Sequence, residues 1–283
     1  MNALRSNRLA MMCLGIVLFY SVVALYGEGV YRWYQWKDVT APYQHQDLSE
    51  QYQPPSAKHW MGTDNLGRDV GQRLVQGARV AFHVGIVTSL IAIPIGLVLG
   101  LLAGYFGGRT DDFIVWLYST FASIPGLLVI LAIAMVVGKG LTGIFLGIGL
   151  TTWVTLCRLI RGEVMKHKER PYVLAARALG FSHARILFRH ILPNVFHIVI
   201  VSFTLRFPAA IGTEVFMSFL GIGVQGEPSW GIMINNARTR LWQGVWWEMT
   251  FVTLAVFLLV LSFNLLGDAL RDALDPRLRT EAK

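Results

Sequence analysis

Three side chains with acid–base chemistry lie in strongly apolar stretches of the sequence: His197, Arg206 and Glu214. Together they would be the catalytic candidates of an intramembrane enzyme. That chemistry needs a nucleophile and a base at recognisable spacing, and the sequence places no such pair beside them. Arg206 and Glu214 would lie about 12 Å apart along a helix, at about 1.5 Å per residue. Ionisable groups at this depth either line a wet pathway or pair with polar neighbours that hold helices together, and both interpretations stay open.

Motifs for nucleotide and metal chemistry are absent or lack their context. Gly221, Gly223 and Gly226 match the spacing of a dinucleotide-binding loop, but they follow an apolar span instead of a strand. Pro228 then arrives before a helix could form. The sequence has no GxxxxGKS or GxxxxGKT phosphate loop, no HExxH motif and no His/Cys cluster at ligand spacing. We therefore expect no catalytic residue, no metal and no cofactor in this chain.

A short polar interruption at 171–180 carries its own helix signals. Pro171 can open a helix at its first position, and Gly180 can close it in the left-handed conformation. A helix of about nine residues is marginal alone and needs a surface to pack against. The apolar residues at helical spacing are Tyr172, Ala175, Ala176 and Leu179. This face indicates either an amphipathic connector on the bilayer surface or a docking surface for a partner, and the residues alone favour neither.

A second helix is predicted directly after this segment. Ser182 can cap its N-terminus, and the helix would run to Leu192. Pro193 is expected to end it, because proline removes a backbone donor and clashes with the preceding turn.

Composition predicts an all-α membrane protein. Hydrophobic residues make up 54% of the 283 residues and charged residues 15%, well below the roughly 25% typical of soluble domains. Apolar runs of about 20 residues mark spanning helices. The six predicted spans are 9–26, 80–106, 113–137, 141–157, 195–220 and 249–267. The first exceeds the apolar core of a signal peptide, so we interpret it as an uncleaved anchor.

The distribution of basic residues predicts the orientation of these spans. More than half of the Lys and Arg residues lie in the N-terminus, the 104–112 turn, the 158–193 loop and the C-terminal tail. With six spans these segments share one side, so the positive-inside rule predicts cytoplasmic termini and an extracytoplasmic loop at 27–79. Topology thus explains the net charge of +8, and we expect membrane lipid but no nucleic acid as a partner.

Three further patterns concern helix ends, packing and kinks. Leu66, Val70, Leu74 and Ala78 recur every four residues, which favours a short helix from Thr63 that feeds the second span. A ladder of small residues at Gly96, Gly100 and Gly104 favours close approach of another helix. Pro94 and Pro125 lie inside predicted spans, where kinks or cavity-lining positions are expected.

Four stretches together resemble the inner-membrane permeases of binding-protein-dependent ABC importers, in the dipeptide, oligopeptide and nickel subfamily. They are HWMGTDNLGRD at 59–69, the AA-to-G-to-LP pattern of 175–193, SFLGIGVQ followed by PSWG within 218–231, and GDALRDALDP at 267–276. The resemblance spans almost the whole chain. The family's loop motif begins Glu-Ala-Ala, whereas Leu174 occupies the glutamate position here. This departure removes the salt bridge that a glutamate would offer, and leaves both helix-ending residues in place.

The resemblance implies a single permease domain over 1–283, with six spans that include the five-helix core of type I ABC importers. It also implies a bacterial-type inner membrane, a homologous permease as the heterodimer partner, two ATPase subunits that bind ATP and Mg, and an extracytoplasmic binding protein. The cytoplasmic coupling loop would be 158–193. The residues implied in ATPase coupling are Tyr172, Leu174, Ala175, Ala176, Arg177, Leu179, Gly180, Leu192 and Pro193.

The remaining expectations concern the pathway and the cargo. Candidate pathway residues are Pro125, Arg206, Glu214 and Met217, and candidate binding-protein contacts are Thr63, Asp64, Arg68, Ser229 and Trp230. Peptides are the cargo that the resemblance favours, with nickel chelates or oligosaccharides as alternatives. A passive channel or scaffold would not need a docking helix at 171–180.

Overall fold

The apolar runs of the sequence form helices, most of which are longer than the predicted spans. A computed structural model describes residues 7–224 and 226–274. The helices are α1 (Arg8–Lys37), α2 (Val70–Phe106), α3 (Gly108–Ser123), α4 (Gly126–Val137), α5 (Leu141–Thr151), α6 (Val154–Lys168), α7 (Pro171–Ala178), α8 (His183–Phe219), α9 (Trp230–Arg238) and α10 (Trp247–Leu274). Short 3-10 turns occur at Pro42–Gln44, Leu48–Glu50 and Leu241–Gln243. Of the sequence motifs, Gln225, Asp275 and Pro276 lie outside the described residues, as do the two ends of the chain.

Helix α1 continues well past the predicted end of the first span at residue 26. It ends at Lys37, with Asp38 in the left-handed conformation as its cap. The polar residues of this extension pair along the helix, as in the Arg32 Nε–Glu28 Oε1 ion pair of 2.5 Å. The segment that was predicted as a loop over 27–79 is therefore irregular only over 38–69.

The predicted short helix from Thr63 is replaced by a turn. Thr63 and Asp69 form an isolated β-bridge, and α2 itself begins at Val70. Asp69 caps α2 by accepting a hydrogen bond from the Gln72 N–H at 2.9 Å. The four-residue periodicity thus belongs to the first turns of α2, and Leu66 precedes the cap.

The glycine ladder of α2 brings its backbone against α6. A Cβ on Gly96 would lie 2.7 Å from the Trp153 carbonyl oxygen, and one on Gly104 would lie 2.7 Å from Val164 Cβ. Such a close approach is possible only because glycine lacks a Cβ, as the sequence predicted. Since Gly96 meets Trp153 and Gly104 meets Val164, the residue numbers of the two helices rise together. Helices α2 and α6 therefore run parallel.

This parallel packing requires the chain to return across the bilayer between residues 107 and 140. Within the described residues, α1, α2, α8 and α10 are each long and apolar enough to span, and so are α5 and α6 taken together as Leu141–Lys168. Helices α3 and α4 form a sixth candidate that is bent by 88°. The bend occurs at Ile124 and Pro125, because a residue before proline avoids the α conformation and Ile124 is extended at φ −100°, ψ 135°. The bent pair therefore supplies the third crossing, as the sixth candidate span. Its bend lies at Pro125, where the sequence predicted a kink or a cavity-lining position within the span at 113–137.

Helix α8 runs antiparallel to α2. His183 at its start bonds to Tyr105 near the end of α2, and Phe207 packs on Phe82 near the start of α2, with ring centroids 5.3 Å apart. The expectation that Pro193 ends this helix is wrong. A π-helical turn at Ile186–Ile191 precedes the proline, and the Asn194 side chain donates to the His190 carbonyl at 2.6 Å. These two features let the helix continue past a residue without an N–H.

The ladder can be tested with Gly100→Ala. Its Cβ would lie 2.8 Å from both the Cys157 carbonyl oxygen and Ile160 Cβ, and overpacking of this kind costs about 1 to 3 kcal/mol. We expect a lower melting temperature in detergent, followed by tryptophan fluorescence. Gly162→Ala is the matched control on α6, because nothing lies within 4 Å of a Cβ there. Equal melting temperatures for Gly100→Ala and the parent protein would contradict the close packing.

Candidate functional site

Helix α7 has both of the ends that its sequence predicted. Pro171 is in its first turn, after Arg170 in an extended conformation. Gly180 has φ +75°, and the Phe181 N–H donates to the Ala176 carbonyl at 3.1 Å while the Gly180 N–H donates to the Arg177 carbonyl at 2.9 Å. These two bonds define a Schellman motif, which satisfies the carbonyls at the helix end. Local backbone geometry thus fixes both ends of the helix, although it has only 8 residues.

One side of α7 is buried against the ends of three spanning helices. Val173 is fully buried and Ala176 is 3% exposed. They share a hydrophobic cluster, here called the α7 seat, with residues of α2, α6 and α8. Its other members at this end of the bundle are Leu101, Tyr105, Ile160, Val164, Ile186, Leu187 and Ile191. Burial of these apolar side chains supplies the packing that so short a helix needs.

Polar and aromatic contacts at its edges add to the seat. The Tyr105 hydroxyl and His183 Nδ1 lie 2.9 Å apart, and the Arg177 guanidinium lies 5.2 Å from the centre of the Tyr105 ring. The Tyr172 hydroxyl lies 2.7 Å from His167 Nδ1. Burial raises the pKa of the Tyr172 hydroxyl, so it remains a neutral partner at physiological pH. Arg177 thus connects α7 to α2, and Tyr172 connects it to α6, while the Tyr105–His183 contact joins α2 to α8.

The opposite side of α7 is an apolar surface that no part of the described chain covers. Leu179 is 73% exposed and Leu174 is 46% exposed, and Tyr172 and Ala175 are also exposed. The sequence had grouped Ala176 with this outward face, whereas the structure turns it inward beside Val173. Sequence reasoning missed Val173. Its spacing of three residues from Ala176 was the available signal, because residues three apart share a helix face.

The other two residues of the predicted coupling set lie beyond this helix. Leu192 is partly buried and packs against the α7 seat, while Pro193 is exposed. Both lie within α8, so they support the seat and the start of the span instead of ending a helix.

The candidate pathway residues are separated in the structure. Arg206 donates through both of its Nη atoms to the carbonyl and hydroxyl oxygens of Thr152, at the junction of α5 and α6. Glu214 is buried and accepts a hydrogen bond from the Ser218 hydroxyl at 2.6 Å. Met217 is buried in a hydrophobic cluster, and Pro125 is exposed at the α3–α4 bend. The Arg206 contacts are those of a helix-to-helix bond, which is the interpretation that the sequence left open beside pathway lining.

Most of the candidate binding-protein contacts are buried at the opposite end of the bundle from α7. Thr63 and Asp64 are fully buried. The Thr63 carbonyl accepts from Trp247 Nε1 at 3.0 Å, and Asp64 Oδ2 accepts from Arg68 Nε at 2.7 Å. These side chains hold the turn before α2 in place. A docking role for the segment stays a prediction, and it would fall to exposed neighbours such as Trp60.

Ser229 and Trp230 are equally internal. The Ser229 hydroxyl caps α9 by accepting from the Ile232 N–H at 3.3 Å. Trp230 Nε1 donates to the Leu74 carbonyl of α2 at 3.1 Å, and the Trp230 ring covers Gly77. These residues fix α9 to α2.

Comparison with known proteins identifies the family. The sequence profile of the binding-protein-dependent transport system inner membrane component matches residues 96–280, and that of the N-terminal TM domain of oligopeptide transport permease C matches residues 1–55. The chain belongs to this permease family. Among residues 7–224 and 226–274, no three His, Cys, Asp or Glu side chains lie close enough to share a metal ion.

Relatives of this permease family match the chain over most of its length. The dipeptide transport system permease protein DppC of Bacillus subtilis is 41% identical over 98% of this chain and 84% of the relative. The oligopeptide permease OppC of the same organism is 36% identical over 97% of this chain and 88% of the relative. The glutathione permease GsiD of Pectobacterium atrosepticum is 38% identical over 87% of this chain and 82% of the relative. The family resemblance that the four sequence stretches indicated is confirmed.

A solved structure shares the permease fold. A chain of the inward-facing MetNI methionine ABC transporter superposes with a TM-score of 0.54 at 17% identity, and the match covers 71% of this chain and 93% of that chain. The expected all-α, multi-pass membrane architecture is therefore confirmed.

Ala176→Glu tests whether α7 depends on its seat. A carboxylate without a partner at this buried position would cost several kcal/mol or push the helix out of the cluster. We expect faster tryptic cleavage at Arg177 and loss of transport, with normal membrane insertion. Ala175→Glu is the matched control, because Ala175 is exposed and its cleavage rate should stay at the parent value. Identical digestion of the two variants would show that the seat does not hold the helix.

Arg206→Ala distinguishes the two roles left open for this arginine. If Arg206 lines the pathway, uptake changes while the purified complex keeps its melting temperature. If it joins α8 to the α5–α6 junction, the melting temperature falls, and Thr152→Val should reproduce part of that fall by removing the hydroxyl acceptor. The contacts to Thr152 lead us to expect the fall. A stable Arg206→Ala complex with altered uptake would assign the pathway role instead.

Proposed function

We propose that the chain is one permease subunit of an ATP-driven importer that carries short peptides. The observation that supports it most strongly is the geometry of α7, whose inner side is packed on three spanning helices and whose outer side is bare and apolar. A partner that binds the outer side and moves would displace α2, α6 and α8 together, because packed interiors transmit displacement.

The family supplies the identity of that partner. Inner membrane components of binding-protein-dependent systems act with separate ATPases, so we assign ATP and Mg to two ATPase subunits that grip α7 of each permease. Leu174 stands at the position of the family glutamate and is half exposed. The contact with the ATPase in this protein is therefore apolar at a position where a salt bridge would otherwise form.

The remaining partners follow from the same resemblance. A homologous permease would complete the pathway as a heterodimer, and an extracytoplasmic binding protein would deliver the cargo to the end of the bundle opposite α7. The basic residues around α6 and α7 support a cytoplasmic position for this helix and for both termini. ATP-driven closure would then move the α7 helices and alternate access to the pathway between the two sides.

Peptide cargo is supported by the relatives. DppC, OppC and GsiD are named for dipeptides, oligopeptides and glutathione, which is itself a short peptide. None of these three relatives is named for nickel or oligosaccharides, which were the alternatives from sequence.

The proposal is tested by reconstituting the chain with its homologous permease, ATPases and binding protein in proteoliposomes. We expect ATP turnover to rise only when the binding protein carries a peptide, because the two signals meet at α7. Ala175→Cys and Leu179→Cys should crosslink to an ATPase subunit. Leu179→Glu should reduce ATPase co-purification, while Leu241→Glu, an exposed leucine far from α7, should not. Crosslinks that never reach an ATPase would refute the coupling role.

A further inference from the structure

A polar cavity of about 590 Å³ lies at the end of the bundle opposite α7. Arg73 in the first turn of α2 lines it, whereas Tyr105 of the α7 seat is some 48 Å further along α2 at about 1.5 Å per residue. The volume falls in the range of roughly 300 to 1,000 Å³ that is usual for small-molecule sites. Besides Arg73, the wall carries the side chains of Asn65, Arg68, Asn235 and Asn236. Guanidinium and amide groups thus dominate its polar surface.

Arg73 is the side chain in this wall that most needs a partner. It is only 4% exposed, and its buried Nε has no hydrogen-bond acceptor among the described residues. That same Nε lies 3.3 Å from Asp64 Oδ2 and is ion-paired with it, although the contact lacks the geometry of a hydrogen bond. The same Asp64 oxygen already accepts from Arg68 Nε at 2.7 Å. One carboxylate is therefore shared between two guanidinium groups, each of which has five N–H donors to satisfy.

Two other carboxylates lie near the cavity but make no hydrogen bond to this guanidinium, although Glu248 interacts electrostatically with both Arg73 and Arg68. Glu248 is buried, and its Oε1 also lacks a hydrogen-bond partner among the described residues. Glu227 lines the cavity, and it is paired with Arg79. The cavity surface consequently presents a cationic region at Arg68 and Arg73.

An unsatisfied acceptor lies in the same wall. Asn65 Oδ1 is buried and has no hydrogen-bond donor in the described part of the chain. A buried donor and a buried acceptor that each lack a hydrogen bond cost free energy unless a ligand supplies the complementary groups. The complement of this pair is a carboxylate with an amide N–H next to it, which is the C-terminal end of a peptide.

We propose that this cavity holds the C-terminal carboxylate of a peptide on its way through the permease, an inference that rests on the proposed peptide import. Arg73 and Arg68 bind the carboxylate, since guanidinium groups match its two oxygens. Asn65 accepts the last peptide N–H, and the amides of Asn235 and Asn236 face the backbone. Because any short peptide has these groups, the site recognises the peptide class and not a particular side chain.

The position of the cavity agrees with a place on the pathway. Ser218 is part of the wall, and its hydroxyl donates a hydrogen bond to Glu214 Oε1 at 2.6 Å. Glu214, a pathway candidate from the sequence, therefore lies directly behind the cavity wall. Its buried carboxylate orients a cavity residue without being exposed to the cargo.

The test uses the complete transporter without its binding protein, so that binding at the permease is measured directly. Equilibrium dialysis with radiolabelled trialanine and with its C-terminal amide gives the two dissociation constants. We expect the free acid to bind at least about tenfold more tightly than the amide, as for a charge-assisted hydrogen bond. We also expect Arg73→Gln to weaken free-acid binding by about tenfold and amide binding by less than about twofold. Arg32→Gln is the matched control on α1, because the Arg32 side chain is 77% exposed.

Asn236→Asp is the second variant, and it decides the test if Arg73→Gln fails to assemble. A carboxylate added to the wall should weaken free-acid binding several-fold more than amide binding, because like charges repel. Equal binding of the two peptides by the parent transporter, or equal losses in the variants, would overturn the carboxylate site. Uptake of trialanine by the parent complex is measured separately. Uptake without a free-acid preference refutes only this site, whereas no uptake of any peptide refutes the proposed cargo.

Discussion

The close approach of other helices to the backbone of α2 is the constraint on which the rest of the structure depends. Lipid gives helices no hydrophobic reason to associate, so van der Waals contact between backbones must hold them together. On α2, Gly96, Gly100 and Gly104 meet α6, Gly85 meets Phe207 of α8, and Gly77 lies under Trp230 of α9. A side chain at any of these positions would separate a pair of helices. The parallel course of α2 and α6, and with it the third crossing through α3 and α4, follows from these contacts.

The same helix connects the two ends of the molecule to which we assign functions. Its first turn carries Arg73 and the cap of Asp69, and its last turn carries Tyr105 in the α7 seat. A partner that displaced α7 would also move Tyr105, which packs against it. Helix α2 then runs without a break from Tyr105 to the cavity. A rigid element of this kind is a physical basis for coupling two distant sites. In the proposed transporter, exchange of the cargo at one end and closure of the ATPases at the other would therefore act on one rigid helix.

Local signals in the sequence predicted local structure well. Pro171 and Gly180 correctly predicted the ends of α7, because the proline ring fixes φ at a helical value and the left-handed conformation strongly favours glycine. Pro193 misled for a related reason. Its effect on the helix depended on a π-turn before it and on the Asn194 side chain after it, and neither can be inferred from a proline alone.

The sequence by itself determined the membrane class, six crossings, the glycine ladder and the family, because hydropathy, small-residue spacing and motif letters are properties of neighbouring residues. Only the tertiary structure decided that Val173 and Ala176 face inward while Leu174 and Leu179 face outward. It also decided that Thr63 and Asp64 are internal supports, and that Asp64 is shared by Arg68 and Arg73. These outcomes depend on which distant segments meet, such as Trp247 with Thr63. Such meetings are set by the packing free energy of the whole bundle, which no short stretch of sequence contains.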